Sequence, residues 1–197
     1  MKKLLALALL IGAFSVSATA GVIKLSLFDD IAWPKGDKVN IVLGLVDNNT
    51  PTVHGVDFNI FSSRADVMHG VQFAWIYKRA NEMKGVQFGG IYTVNKDATG
   101  LAMGLLNVTD SLTGVQFGFV NVSQRTFTGA QLGIVNLAQE AYGLQWGIYN
   151  QAEYFKGLQL GLVNNIKNID KGLQIGLVNI IQNNGWFPGM ILVNGRF

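Results

Sequence analysis

The chain has no cysteine, three prolines and two histidines among its 197 residues, and only 14% of them are charged. Without cysteine there is no disulfide framework, so an exported form must be held by backbone pairing and apolar burial alone. The charge content falls well below the quarter usual in globular chains. Mean hydropathy is nevertheless positive, which asks where the apolar surface goes. No basic run or patch stands behind the formal charge of +3, so nucleic acid is not an expected partner. No helix-length amphipathic segment occurs. The longest apolar run, Leu4 to Phe14, is about eleven residues and too short to cross a bilayer as a helix.

That run reads instead as a targeting signal over residues 1–20. Lys2 and Lys3 supply a positive start, the apolar run follows, and small residues end in Ala18-Thr19-Ala20 before Gly21. This order, with its A-x-A site, is the pattern a secretion peptidase cleaves. The expectation is a mature chain from Gly21, residues 21–197, forming a single β-repeat domain outside the cytoplasm. Losing Lys2 and Lys3 leaves 13 basic residues against 12 acidic ones, nearly neutral.

What the chain has in excess is glycine, 24 residues, placed with a period. Gly55, Gly70, Gly85, Gly100, Gly114, Gly129, Gly143, Gly157 and Gly172 open successive units of 14 or 15 residues. The clearest copies are Gly157-Leu-Gln-Leu-Gly-Leu-Val-Asn164 and Gly172-Leu-Gln-Ile-Gly-Leu-Val-Asn179. Within a unit the apolar residues alternate, which is the strand period and not the helical one. Leu158, Leu160 and Leu162 fall on one face, as do Val71, Phe73, Trp75 and Tyr77, while Gln159, Gly161 and Val163 fall on the other. Polar stretches such as Thr109-Asp-Ser111 separate the units. The chain is all-β.

Adding Val22–Ala32, Val39–Asp47 and Met190–Phe197 to the nine units gives twelve strands. The expected fold is an antiparallel 12-stranded outer-membrane-type β-barrel built from 14–15-residue strand-turn repeats. Its partner would be membrane lipid of the outer membrane, and its role structural or that of a narrow pore. The bulky residues of one strand overfill a narrow coil, whereas lipid sets no such limit. The terminal Phe197 points the same way. The alternatives are a β-solenoid, acting as an exported surface binding or adhesion module, and a soluble β-sandwich. For the solenoid speak the constant spacing of Gln and Asn and an apolar stripe thinner than the roughly 25 Å of a barrel. Phe197 is also out of phase with residues 190, 192 and 194.

The repeat resembles bacterial surface-repeat proteins built on G-L-Q-x-G-L-V-N units, over residues 39–194. That resemblance implies a repeat architecture at the surface of a bacterium with two membranes, and it supplies no catalytic residues.

The row Gln72, Gln87, Gln116, Gln131, Gln145, Gln159 and Gln174 is the foremost site candidate, lining a lumen or forming a ladder. Trp33, Trp75, Trp146, Trp186, Tyr77, Tyr92 and Tyr149 are candidates for an interfacial girdle. His54 and His69 lie one unit apart, and with Asp57 or Asp66 they could hold a metal, but no third ligand is positioned. Ser62, Ser63, Asp66 and His69 allow a barrel-embedded hydrolase to be imagined, yet there is no G-x-S-x-G elbow. No enzyme, no cofactor and no metal are expected.

Overall fold

A computed structural model describes residues 23–28 and 31–197; the expected signal and its cleavage site lie outside the described residues. The chain winds into a parallel β-solenoid of about 10 turns. After β1 (Ile23–Phe28), β2 (Ile31–Trp33), β3 (Lys38–Gly44), β4 (Asp47–Asn49) and β5 (Thr52–Asn59), one long strand makes up most of each coil. These are β6 (Ser62–Phe73), β7 (Tyr77–Phe88), β8 (Tyr92–Met103), β9 (Leu106–Phe117), β10 (Val120–Leu132), β11 (Val135–Trp146) and β12 (Tyr149–Leu160). β13 (Val163–Asn183) carries the last coil, and β14 (Gly189–Arg196) closes the end.

The expected barrel is therefore corrected. A meander would pair neighbouring strands antiparallel, whereas β6 through β13 pair parallel with like residues in register on either side of local bulges. Gly143 sits on Gly157 and Gln145 on Gln159. Among the described residues, antiparallel pairing is confined to the two ends, β1 with β2 and β13 with β14. The physical reason is self-complementarity. A primary amide is both donor and acceptor, so a row of identical amides satisfies itself when like residues stack at one level. Only parallel, in-register coils do that.

Burial shows how a coil turns. In β10 the inward residues are Asn121, Ser123, Phe127 and Gln131, followed by Asn136 in the next coil. A straight strand buries every second residue. The intervals of four and five mark corners, at the Gln124–Arg125 bulge, at Gly129, and at Gly133–Ile134. The last corner reverses the inward phase. For that reason Asn164 faces inward although Leu158, Leu160 and Leu162 share its parity. Strict alternation across a unit places the asparagines on the apolar face. The corner separates them.

The apolar core is narrow, one column of mostly large side chains beside a row of small ones such as Ala65, Ala80, Ala138 and Ala152. Met68, Met83, Ala98, Leu112, Phe127, Ala141, Phe155 and Ile169 stack coil on coil. Ala141 between Phe127 and Phe155 keeps the column at packing density, large beside small. So narrow an interior has no room for Phe117, Trp146 or Leu162, and these side chains point out.

Candidate functional site: an apolar face over buried amide ladders

Two amide ladders line the interior of the coils. The seven candidate glutamines are fully buried and bond along the stack. Gln131 Nε2 donates to Gln116 Oε1 at 2.7 Å, and Gln145, Gln159 and Gln174 each donate to the glutamine one coil earlier at 2.7–2.9 Å. The asparagine ladder runs the opposite way: Asn107, Asn121, Asn136, Asn150 and Asn164 each donate to the asparagine one coil later at 2.8–2.9 Å. The second N–H of each asparagine ties down the corner, as Asn136 Nδ2 does with Trp146 O at 2.9 Å. The two rows of amide dipoles are thus antiparallel, and their fields offset each other.

The irregular first half of the stack holds buried charges where the ladders start. The glutamine row breaks at Ala102, so Gln72 and Gln87 form a short N-terminal piece, linked at 2.6 Å. Its donor end meets Asp57, which accepts from Gln72 Nε2 at 3.2 Å and from the side chains of Ser63 and Asn59. Burial pushes the Asp57 carboxyl up to about 6, against the pull of those three donors and of the Lys24 charge. At the asparagine row, Thr93 stands where an asparagine belongs and is too short to reach the corner carbonyl of Met103. Lys78, fully buried one coil earlier, extends past it to that carbonyl at 3.5 Å. Desolvation lowers the Lys78 ammonium to about 8. Thr93 Oγ1 and Asn107 Oδ1, the open acceptor end of the asparagine row, have no hydrogen-bond partner. An anion at the donor end of one ladder and a cation at the acceptor end of the other complement the local dipoles. The sequence reading missed Lys78 and this role of Asp57. The signal was present: Lys78 occupies the slot of Asn121 in an aligned repeat.

The outside of the coils is divided as sharply. In each of the nine stretches that follow a repeat glycine, from 56–62 to 173–178, the only Asp, Glu, Lys, Arg or His is the inward-turned Asp57. Charged side chains line the remaining part of the coils, in solvent-exposed pairs such as Lys84–Glu82 and Arg125–Asp97. The uncharged stretch carries two outward columns flanking the corner glycine. One includes Phe117 and Trp146, 52% and 61% exposed, and the other Phe119 and Ile148, 57% and 51% exposed. About twenty large apolar side chains on this face are more than a third exposed, and at roughly 100 Å² each they present on the order of 2,000 Å². Between the columns runs a trench of about 810 Å³ with Gly90, Gly104, Gly118, Gly133, Gly147 and Gly161 in its floor. A second hollow of about 710 Å³ continues the line at the N-terminal end, between Trp33, Leu43, Leu45 and Phe58.

The other sequence candidates separate. His54 and His69 stack in register, ring centroids 5.0 Å apart, and His69 Nε2 lies 3.1 Å from Glu82 Oε1. Asp66 is engaged by Asn81 Nδ2 at 2.8 Å, and Asp57 is inside. Among the described residues no group of three His, Cys, Asp or Glu is disposed to hold a metal ion. Ser63 is buried against Asp57 while His69 is part-exposed outside, so the imagined hydrolase dyad is not assembled. Trp75 and Trp146 lie on the apolar face; Trp33 and Trp186 lie at the two ends, where Trp186 packs on Phe197 with centroids 5.0 Å apart. Tyr77 and Tyr92 stack at 5.8 Å on the border between apolar and charged surface, at the level that Tyr149 continues. Comparison with protein-family models, with curated proteins and with solved structures finds no match.

Proposed function

We propose that the protein is an exported, non-catalytic surface module that rests its apolar edge in the lipid of a bacterial outer membrane and turns its charged edge to water. The observation that carries this reading is the unbroken, charge-free apolar face along nine coils. Its area of on the order of 2,000 Å² is several times the patch a soluble monomer tolerates. It is also more than the roughly 800 Å² that one partner contributes to a standard protein interface. Because the two columns flank a corner, a flat partner reaches one flank only, whereas fluid hydrocarbon wraps both.

The coil geometry makes such immersion cheap. Backbone groups in the middle coils are satisfied by the coils on either side, so the flank brings no unpaired N–H or C=O to the hydrocarbon. Tyr77, Tyr92 and Tyr149 at the border suit the headgroup level, where amphipathic rings settle. The free charged edge is then available for structural or adhesive contacts.

Flotation with phospholipid vesicles tests the reading. The purified protein is expected to float with vesicles, and a Phe119→Asp, Trp146→Asp double variant to stay at the bottom while melting at the same temperature. A protein that remains monodisperse in plain saline and ignores vesicles of every composition overturns it.

A further inference from the structure

From the trench we infer that the protein binds one long-chain alkyl carboxylate lengthwise, the chain lying over the glycine floor with its acid group at the Gly89–Gly90 end. This rests on the lipid-edge reading and gives that edge a specific ligand. Three features select a single chain. The floor is bare backbone, because a side chain at Gly118, Gly133, Gly147 or Gly161 would fall onto the previous coil, so the trench is continuous. From Gly90 to Gly161 it crosses six coils, and at the spacing of paired strands its length is about 24 Å. Its volume of about 810 Å³ falls within the range of pockets for small ligands. Divided by that length it gives a cross-section of roughly 34 Å², narrow for anything broader than a chain.

The two ends differ, and the difference sets the direction. One coil before Gly90, the rings of Phe73 and Trp75 meet edge to face at 5.5 Å across the buried Ala74, which closes the trench. Directly beneath that closed end lies the Lys78 ammonium; a Cβ on Gly90 would come within 3.1 Å of it. No charged side chain lines the trench itself, so this buried ammonium is the charge nearest its floor at that end. The ammonium faces dipoles and no carboxylate, and its one hydrogen bond, to Met103 O, is long at 3.5 Å, so its positive field also favours an anion above Gly89 and Gly90. The far end, at Gly161 and Leu162, has only uncharged lining. A side-chain column of a second copy would gain nothing from a cation at one end, and a two-chain lipid exceeds the cross-section.

Calorimetric titration of the purified protein with straight-chain carboxylates of increasing length, below their aggregation thresholds, tests the inference. Binding is expected at one per protein, tightening about fourfold for each added pair of half-covered methylenes. It should level off once the chain outgrows the trench. Alcohols of equal length should bind several-fold more weakly, and Lys78→Met should erase that preference. Should Lys78→Met fail to fold, the acid–alcohol comparison and Phe119→Asp, which should abolish binding with an unchanged melting temperature, still decide. No binding, more than one chain per protein, or tightening without a plateau overturns the trench. Flotation retained in any of those cases leaves the lipid edge standing. A dimer in sedimentation that carboxylates do not dissociate overturns it in favour of a second copy.

Discussion

Replacing a corner glycine by alanine should have very unequal consequences in adjacent coils, and the contrast tests the parallel stack directly. At Gly118 the new methyl would overlap the Gly104 carbonyl of the previous coil and come within 2.6 Å of Asn107 Nδ2, where ordinary contact begins at 3.4 Å. Asn107 Nδ2 there holds Asn121 Oδ1 at 2.9 Å and Phe117 O at 3.1 Å. Losing both buried bonds costs about 2–3 kcal/mol, and overpacking adds about 1–3 kcal/mol. The stiffer unfolded chain returns less than about 1 kcal/mol. The net loss is about 2–6 kcal/mol. At Gly104 the same methyl meets nothing closer than Thr93 Oγ1 at 3.0 Å and Asn107 Oδ1 at 3.2 Å, because Ala102 and Thr93 leave the site loose. There the loss should be within about 1 kcal/mol of zero. With a urea slope of about 2 kcal/mol/M, the two midpoints should differ by roughly 1–3 M. Urea titration of Gly104→Ala and Gly118→Ala followed by circular dichroism measures this. Equal midpoints would refute the in-register stacking, since neither glycine is distinguished from the other unless coils pair glycine on glycine.

Stability should be lowest between about pH 6 and 8. The Asp57 pKa is raised from 3.8 to about 6, so the folded state binds more protons there and stability falls as pH rises through that window; the Lys78 pKa is lowered from 10.5 to about 8, so stability is regained as pH rises from 8 towards 10.5. Each arm is up to about 3 kcal/mol at 1.36 kcal/mol per unit. Melting temperatures across pH check it, and Asp57→Asn should flatten the acid arm alone. A double-mutant cycle tests the lysine as a stand-in: Lys78→Ser and Thr93→Asn should each destabilise, while the pair together recovers at least about 1.5 kcal/mol by rebuilding the asparagine ladder one coil further. Gln145→Leu should cost about 2–5 kcal/mol by leaving Gln159 Nε2 and Gln131 Oε1 unpaired, whereas Trp146→Ser beside it should stay within about 0.5 kcal/mol. Equal losses in denaturation would show that the inside and outside of the coil are misassigned.

The sequence by itself determined the period, the strand content and the rows of like residues, because a glycine or glutamine returning every 14–15 positions is a one-dimensional fact. The bulk of Val71, Phe73 and Trp75 keeps them out of a coil this short, but the barrel it argued for does not follow, because the solenoid turns these side chains outward. Which neighbour each strand pairs with was decided only in three dimensions. Period-two alternation is the same for an antiparallel barrel wall and a parallel coil, so Gln145 reads equally as lumen or ladder until Gln131 and Gln159 are seen above and below it. The corner at Gly161 escaped for a related reason. A reversal of inward phase depends on backbone angles, and until it is seen Asn164 counts as part of the apolar stripe instead of the ladder beneath it. Lys78 and Asp57 gain their meaning from desolvation and from the direction of the amide rows they terminate. Both properties belong to the stacked coils and to no single segment of chain.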